Sequence, residues 1–331
     1  MRQTHPVDHP AAGAGAPQTR LHLDTDIGGD LDDLCALALV LAWPGVELTA
    51  VTTVTEAAGR RAGYARRALR LAGREEVPVA AGADVALGRF RYAPGYPPDA
   101  RYWPEPVPPA PGPLDAALDL LEGSIRAGAV VVGIGQWTNL SLLETRRPGI
   151  LRRARLVLMG GHLRPAPAGF TAWGSAEDYN VQLDVAAARH VLATSSPTLV
   201  PLEVTVQTAL RRSHLPLLRR AGPLGALLAH QAEVFGEDWR AEAAAAADGR
   251  GAGLPADTLN FHHDPLACAV ALGWPGVRIE TVPLLVAERD GLLVLGEGPG
   301  GTPAAVVTAV DGPAFGDFWL QTVRRLGPAG A

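Results

Sequence analysis

Apolar positions along this chain follow two alternating rhythms. Short apolar or β-branched runs bounded by Gly and Pro predict strands, and longer stretches with apolar residues three and four apart predict helices. Leu21 to Thr25 reads as a strand and Leu31 to Ala42 as a helix, stopped by Pro44-Gly45. Val46 to Val54 is a β-branched strand, Gly59 to Ala72 an Arg-rich amphipathic helix, and Val77 to Ala81 a short strand. Leu114 to Ala127 predicts a helix, Ala129 to Ile134 a strand, Thr138 to Thr145 a helix and Leu156 to Met159 a strand. Such alternation means βαβ units and an α/β fold, with a mostly parallel open sheet flanked by helices. The stretch from Arg211 to Asp257 reads as helical and Ala-rich, with Gly249 to Gly253 as a flexible break. Strands return at Val277 to Val286, Leu292 to Leu295 and Ala304 to Val310, and a helix from Pro313 to Leu326 closes the pattern.

Two segments break the rhythm. Residues 1–20 are polar and rich in Pro and Gly, without an apolar core, and predict a disordered tail rather than an export signal. Leu87 to Pro113 is irregular and dense in Pro, Tyr and Gly. Irregular loops of that length are usually functional or disordered, so it predicts an active-site loop. No composition shift divides the rest, so residues 21–327 are expected to form a single domain.

Composition narrows the function. A hydrophobic fraction of 47% and a charged fraction of 19% fit a soluble globular protein. A net charge of -5, without a basic stripe, argues against a nucleic-acid partner. The apolar runs are too short or too interrupted to span a membrane. Cys35 and Cys268 both fall in apolar helical stretches, which predicts buried thiols and a reducing cytoplasm. All basic residues are arginine; the chain contains no lysine.

The densest chemistry lies where the first strand meets the first helix. Asp24-Thr25-Asp26-Ile27-Gly28-Gly29-Asp30-Leu31-Asp32-Asp33 carries five carboxylates in ten residues. Two carboxylates ~4 Å apart repel by ~4 kcal/mol at an effective dielectric of ~20. A hard divalent cation with oxygen ligands is the simplest compensation. Helix capping by Asp30 or Asp32 explains one or two of the carboxylates, not the whole set. An EF-hand loop counted from Asp24 would need an acidic residue where Cys35 stands. A phosphatase of the haloacid-dehalogenase type would need a lysine that the chain lacks. Ligands in parallel sheets bind beyond the carboxyl ends of the strands, which is where this turn falls.

Three later segments join it. They are Val132-Gly133-Ile134-Gly135-Gln136-Trp137-Thr138-Asn139-Leu140, then Leu156-Val157-Leu158-Met159-Gly160-Gly161-His162 followed by Ala176-Glu177-Asp178-Tyr179-Asn180-Val181-Gln182-Leu183-Asp184, and Phe261-His262-His263-Asp264-Pro265-Leu266-Ala267. Together with the acidic turn and the Thr52-Thr53-Val54 strand, this ordered set resembles the inosine-uridine nucleoside hydrolase family. That family opens with Asp-x-Asp-Pro-Gly-x-Asp-Asp. A Thr-Thr-Val strand, a Leu-Thr-Asn turn, a Met-Gly-Gly strand end, a Glu-Phe-Asn segment and a His-Asp-Pro helix start follow. The likeness spans roughly residues 20 to 326.

The resemblance implies a Rossmann-like sheet of the nucleoside hydrolase type and a calcium site. Asp26, Asp33 and Asp264 would be carboxylate ligands and Ile134 a backbone-carbonyl ligand. Asp26 would double as general base toward a water. Asp32 would accept from the ribose diol, Asn180 would bind the same diol, and Asp178 or Glu177 another sugar hydroxyl. From the residues alone, Asn180 and Asp178 read as a helix cap or turn. His263 would protonate the departing base of an oxocarbenium-like reaction, with His262 beside it sharing or taking that role. Trp173 is the best candidate among Trp103, Trp173, Phe235, Trp239 and Phe261 to stack on the base.

Departures from the family pattern qualify the substrate. Two extra residues in the opening turn allow Asp30 to replace an assigned carboxylate. Ala57, beside Glu56, stands where the family usually has Asn or Asp. Phe170, after Gly169, stands where an Asn serves the sugar 5′ end. The Glu177 to Asn180 segment is one residue longer than usual. The expectation is a cytoplasmic, calcium-dependent N-ribohydrolase of purine or pyrimidine metabolism, acting on a nucleoside or modified nucleoside. It is expected to be a homo-oligomer with neither nucleic acid nor membrane as partner. The competing reading is a nucleoside-binding protein of the same fold with altered catalysis, kept open by Ala57 and Phe170.

Overall fold

The computed structural model describes residues 19–88, 99–245 and 257–327. Along these residues run the strands β1 (Thr19–Thr25), β2 (Val46–Thr53), β3 (Val79–Ala81), β4 (Val130–Gly133), β5 (Arg155–Met159) and β6 (Thr198–Val200). They continue as β7 (Ala209–Arg211), β8 (Thr258–Phe261), β9 (Val277–Arg289), β10 (Leu292–Glu297) and β11 (Thr302–Val310). Nine strands form one sheet in the order β10-β9-β11-β6-β5-β4-β1-β2-β3, and β7 pairs with β8 separately. The run from β3 to β6 is parallel throughout, as is the β6–β11 pair, while β9 is antiparallel to both its neighbours.

Helices cover both faces, so the central strands are buried on both sides, and the polar His22 and Asp24 of β1 are satisfied by Ser124, Thr52 and Asn139. In β4 every residue is buried, and in β1 all from Leu21 to Thr25. The helix Asp32–Ala42 is apolar nearly all round because it lies inside the molecule. It packs between the helix His263–Ala271 and the closing helix Gly312–Val323, whose Trp319 donates Nε1–H to Cys35 O at 3.2 Å.

The topology places the site. From β1 the chain steps outward to β2 and β3, then crosses back to β4 on the other side of β1 before continuing to β5 and β6. The strand order therefore reverses between β1 and β4, leaving a crevice beyond their carboxyl ends. The acidic turn leaves β1 there, and Ile134-Gly135-Gln136 leaves β4 beside it.

Several elements differ from the sequence expectations. Strand β1 starts at Thr19, whose N–H donates to Gly45 O at 2.9 Å, so Thr19 and Arg20 belong to the sheet rather than a tail; residues 1–18 lie outside the described residues. Strand β3 starts at Val79, not Val77, and β9 runs on to Arg289 because β10 pairs with it to its end. Arg211 is not helical; it ends β7 and pairs with Thr258 of β8. Helices occupy Leu215–Leu218 and Gly222–Ala245, and the Gly249 to Gly253 break lies outside the described residues. Within the long loop, residues 89–98 also lie outside them, Asp99–Tyr102 is a short helix, and the Pro-rich remainder lies against Gly59 and Gly63. A Cβ at Gly63 would stand 2.4 Å from Pro108 O, so only glycine permits that approach. Among the described residues no helix is long and apolar enough to cross a membrane.

Candidate functional site

The turn after β1 is strapped down from the neighbouring loop. Buried Arg61 donates Nη1–H to Ile27 O at 3.1 Å and Nε–H to Thr55 O at 2.8 Å, tying the turns after β1 and β2 together. Gly28 lies against Tyr64 with φ 103°, and a Cβ there would sit 2.2 Å from the Tyr64 ring. Any side chain at this position would push the acidic turn out of place.

Three carboxylates meet. Asp32 and Asp33 come from the first turn of the helix Asp32–Ala42, and Asp264 from the first turn of the helix His263–Ala271. One oxygen from each lies within 4.8 Å of the others, and all three residues are buried. Two helix N-termini thus converge on the cluster, and their dipoles favour its negative charge. The Thr25 hydroxyl donates to Asp33. Burial raises all three carboxyls well above their usual range. Mutual repulsion, including that from Asp26, raises them further, and the Arg61 guanidinium partly offsets this at Asp33.

Asp26 stands outside this triad, although after burial its charge is the largest influence on Asp33. It is half-buried, and its Oδ2 accepts from Gln136 Nε2 at 3.0 Å. Gln136 is fully buried after β4 and accepts the Thr55 hydroxyl in turn. A Cβ on Gly135 would lie 2.9 Å from Asp26 N, so the turns after β1 and β4 touch. Ile134 donates its N–H to Asp24 O at 2.8 Å, and its carbonyl accepts from Asn180 Nδ2 at 2.9 Å. Asn180 also donates to Met159 O at 3.3 Å, so it bridges the ends of β4 and β5. Its Oδ1 has no partner among the described residues.

The other wall is aromatic. His263 is half-buried, with Trp173 stacked at 6.0 Å between centroids and Phe261 at 5.4 Å. Trp173 and Trp239 both meet Phe261 edge-on, at 5.3 and 5.5 Å. Burial lowers the His263 imidazole from 6.5 to about 3.

Other expected site residues are placed elsewhere or occupied. His262 is fully buried against Trp319, 4.5 Å between centroids, and Phe315, so it packs in the core rather than in the crevice. Its ring nitrogens have no partner among the described residues, and burial drives the imidazole well below its ordinary value. Asp178 accepts from Gly161 N at 2.6 Å and Val181 N at 3.3 Å, so it caps a helix. Glu177 accepts from Gly174 N at 2.8 Å. Asp30 is exposed and accepts from Leu31 N at 2.5 Å and from Asn260 on β8. Glu56 binds the Thr53 hydroxyl and, at 2.7 Å, Ala62 N, serving the start of the helix Arg60–Leu71. Phe170 is 44% exposed on its loop.

Sequence reasoning gave no role to Gln136, Arg61, Thr205 or Asn260. Gln136 directly follows the Gly133-Ile134-Gly135 turn at the end of β4, which is a local signal. Arg61 and Thr205 carry no local signal for these roles, because Ile27 lies 34 positions from Arg61 and His263 58 positions from Thr205.

Comparisons with known proteins bear on the fold and the family. Residues 21–317 match the profile described as inosine-uridine preferring nucleoside hydrolase. An uncharacterized protein of Schizosaccharomyces pombe is 30% identical over 242 residues, covering 66% of this chain and 75% of its own. The pyrimidine-specific ribonucleoside hydrolase RihA of Salmonella paratyphi C is 29% identical over 231 residues, covering 65% of this chain and 70% of its own. In structure, a plant nucleoside hydrolase superposes with a TM-score of 0.76 at 20% identity, over 93% of this chain and 99% of that one. The purine-preferring ribonucleoside hydrolase from Gardnerella vaginalis gives 0.75 at 23% identity with the same coverage. These two superpositions show a shared fold. With a profile match that runs from the first buried residue of β1 into the closing helix, the chain belongs to the inosine-uridine preferring nucleoside hydrolase family of enzymes.

Proposed function

We propose that this protein hydrolyses the N-glycosidic bond of a nucleoside or modified nucleoside, giving free base and ribose, and that it uses calcium. The observation that carries the reading is the buried Asp32, Asp33 and Asp264 triad at the β1–β4 switch point, facing an aromatic wall around His263. The donor set fits a hard cation: it is all oxygen, it is buried, and its charges repel one another. Asp26, Asp33, Asp264 and the Ile134 carbonyl would hold the ion. When bound, calcium would neutralise this cluster and acidify an attached water.

The chain's own groups do the rest. Asp26 is held by a single amide donor, Gln136, and accepts the proton of the attacking water. Asp32, beside Asp264, accepts from a ribose hydroxyl. Asn180 spends its amide hydrogens on Ile134 and Met159, so its Oδ1 is what meets the sugar diol. Trp173 stacks near the base, and His263 protonates it. The negative charge growing on the departing base offsets the burial that keeps the empty-site imidazole neutral. Glu177 and Asp178 act by holding the loop beneath the sugar rather than by touching it. The two free, buried cysteines support a reducing cytoplasm as the setting, and the family resemblance supports a homo-oligomer.

The test is direct. Purified protein is mixed with a panel of nucleosides, with calcium or with chelator, and free base and reducing sugar are measured. Release that depends on calcium is expected. Binding without release would favour the catalytically altered nucleoside-binding protein, and release unaffected by chelation would remove calcium from the reading.

A further inference from the structure

A ring that protonates a departing base must be aimed, and the structure shows what aims His263. Its Nδ1 lies 2.6 Å from the hydroxyl of Thr205, a fully buried residue ending the short helix Leu202–Thr205 after β6. The two segments are stitched together along their main chains. His262 N donates to Thr208 O at 3.2 Å, Thr208 Oγ1 lies 2.8 Å from Thr205 O and 3.2 Å from His262 O and shares its one hydrogen between them, and Leu202 N donates to Gly161 O at 2.8 Å. The hydroxyl therefore stands on a backbone fixed relative to His263.

Thr205 Oγ1 also lies 3.0 Å from Leu202 O. A hydroxyl has one hydrogen to give and lone pairs to receive. With its hydrogen on Leu202 O, it accepts the Nδ1–H of His263. Nδ1 is then occupied, and Nε2, which has no partner among the described residues, is left for the cleft. Trp173 and Phe261 flank the ring and restrict its tilt.

We propose that Thr205 is a positioning residue for leaving-group protonation: its hydroxyl holds Nδ1 of His263 so that Nε2 meets the departing base. The inference rests on the N-glycosidase reading and on His263 as its acid. In the step, the glycosidic C–N bond breaks and its electron pair stays with the base. The ring, protonated from solvent at Nε2 before the bond breaks, gives that proton to the base nitrogen. The ring is left neutral with Nδ1–H on Thr205, and solvent returns the proton afterwards.

The test compares two leaving groups. Inosine expels a poor leaving group that needs a proton; p-nitrophenyl β-D-ribofuranoside expels a good one that does not. Thr205→Val and Thr205→Ala should lose about 10- to 100-fold in kcat on inosine, a share of the ~10²–10⁴ typical of a general acid. KM should hold within about twofold, and kcat on the p-nitrophenyl riboside should be largely kept. Thr205→Ser, which restores a hydroxyl, should recover most of the inosine rate. Because the readout is a ratio between substrates, partial misfolding lowers both rates alike and leaves it unchanged. An equal loss on both substrates, an undiminished inosine rate in the Val and Ala variants, or no rescue by Ser would overturn the role of Thr205. Wild-type protein that releases no base from any nucleoside would instead overturn the underlying reading, as would His263→Ala losing equally on both substrates.

Discussion

Two acidic segments sit beyond the carboxyl ends of β5 and β1, the strands on either side of β4, and they behave in opposite ways. After β5, Glu177, Asp178 and Asp184 each find main-chain donors: Gly174 N at 2.8 Å, Gly161 N at 2.6 Å and Leu87 N at 2.8 Å. Asp184 also takes Ala187 N at 3.1 Å and the Thr138 hydroxyl at 2.6 Å. After β1, Asp32, Asp33 and Asp264 face mainly one another, with the Thr25 hydroxyl and the Arg61 charge as partial relief at Asp33. Buried carboxylates need donors or a counter-charge. Where the backbone provides donors the carboxylate is structural, and where it does not, a cation is the proposed partner. Acidic residues alone therefore do not point to a metal centre; the lack of donors around them is what supports the proposal.

The strongest way to break this contrast is at Asp26. Asp26→Asn keeps an oxygen near the cluster but removes the base, and turnover should fall by ~10²–10⁴-fold. Turnover near wild type would move the base to Asp30 or Asp32. Next comes the cation itself. Calcium at a hundredfold excess over its dissociation constant should stabilise the protein by ~2.7 kcal/mol, and Asp264→Ala should abolish this gain. Equal melting temperatures in calcium and in chelator would end the assignment.

The pH dependence of that gain sharpens the point. Burial raises the carboxyls of Asp32, Asp33 and Asp264 above 3.8, so the cation-free folded protein holds protons that the unfolded chain has already lost. The stability contributed by these groups is fully present below the unfolded value and is lost as pH rises through the folded values. Calcium replaces those protons, so the calcium-induced rise in melting temperature should grow from pH 5 to pH 8. A rise that shrinks over that range would place the cation elsewhere.

On the other side, Asp178→Ala should cost about 0.5–2 kcal/mol as a lost cap. The calcium gain should be unchanged, as thermal melts with and without calcium would show. A lost calcium gain would make Asp178 part of the charged centre and erase the contrast. The smallest effect is expected at Phe170. Its ring is 44% exposed, so it should contribute less than the ~1 kcal/mol lower end for a full apolar wall, and Phe170→Ala should change kcat/KM for inosine and 5′-deoxyinosine alike, by less than about fivefold. A larger change that differs between the two would put the ring against the sugar 5′ end.

The sequence by itself determined the alternation of strands and helices, the continuous apolar run of β4, and the concentration of carboxylates at the end of β1. These are local properties, written in consecutive residues. The ordered motifs also carried the family. Tertiary structure decided which carboxylates face one another, because Asp264 reaches Asp32 and Asp33 only through the packing of two helices distant in the chain. It also decided between adjacent histidines. His262 precedes the first turn of its helix and His263 opens it, so their side chains diverge, one onto Trp319 and the other toward Thr205 and Trp173. The small β7–β8 sheet and the reach of Arg61 to Ile27 were illegible for the same reason: those partners lie tens of residues away, and local periodicity holds no record of contacts that form only when the chain closes on itself.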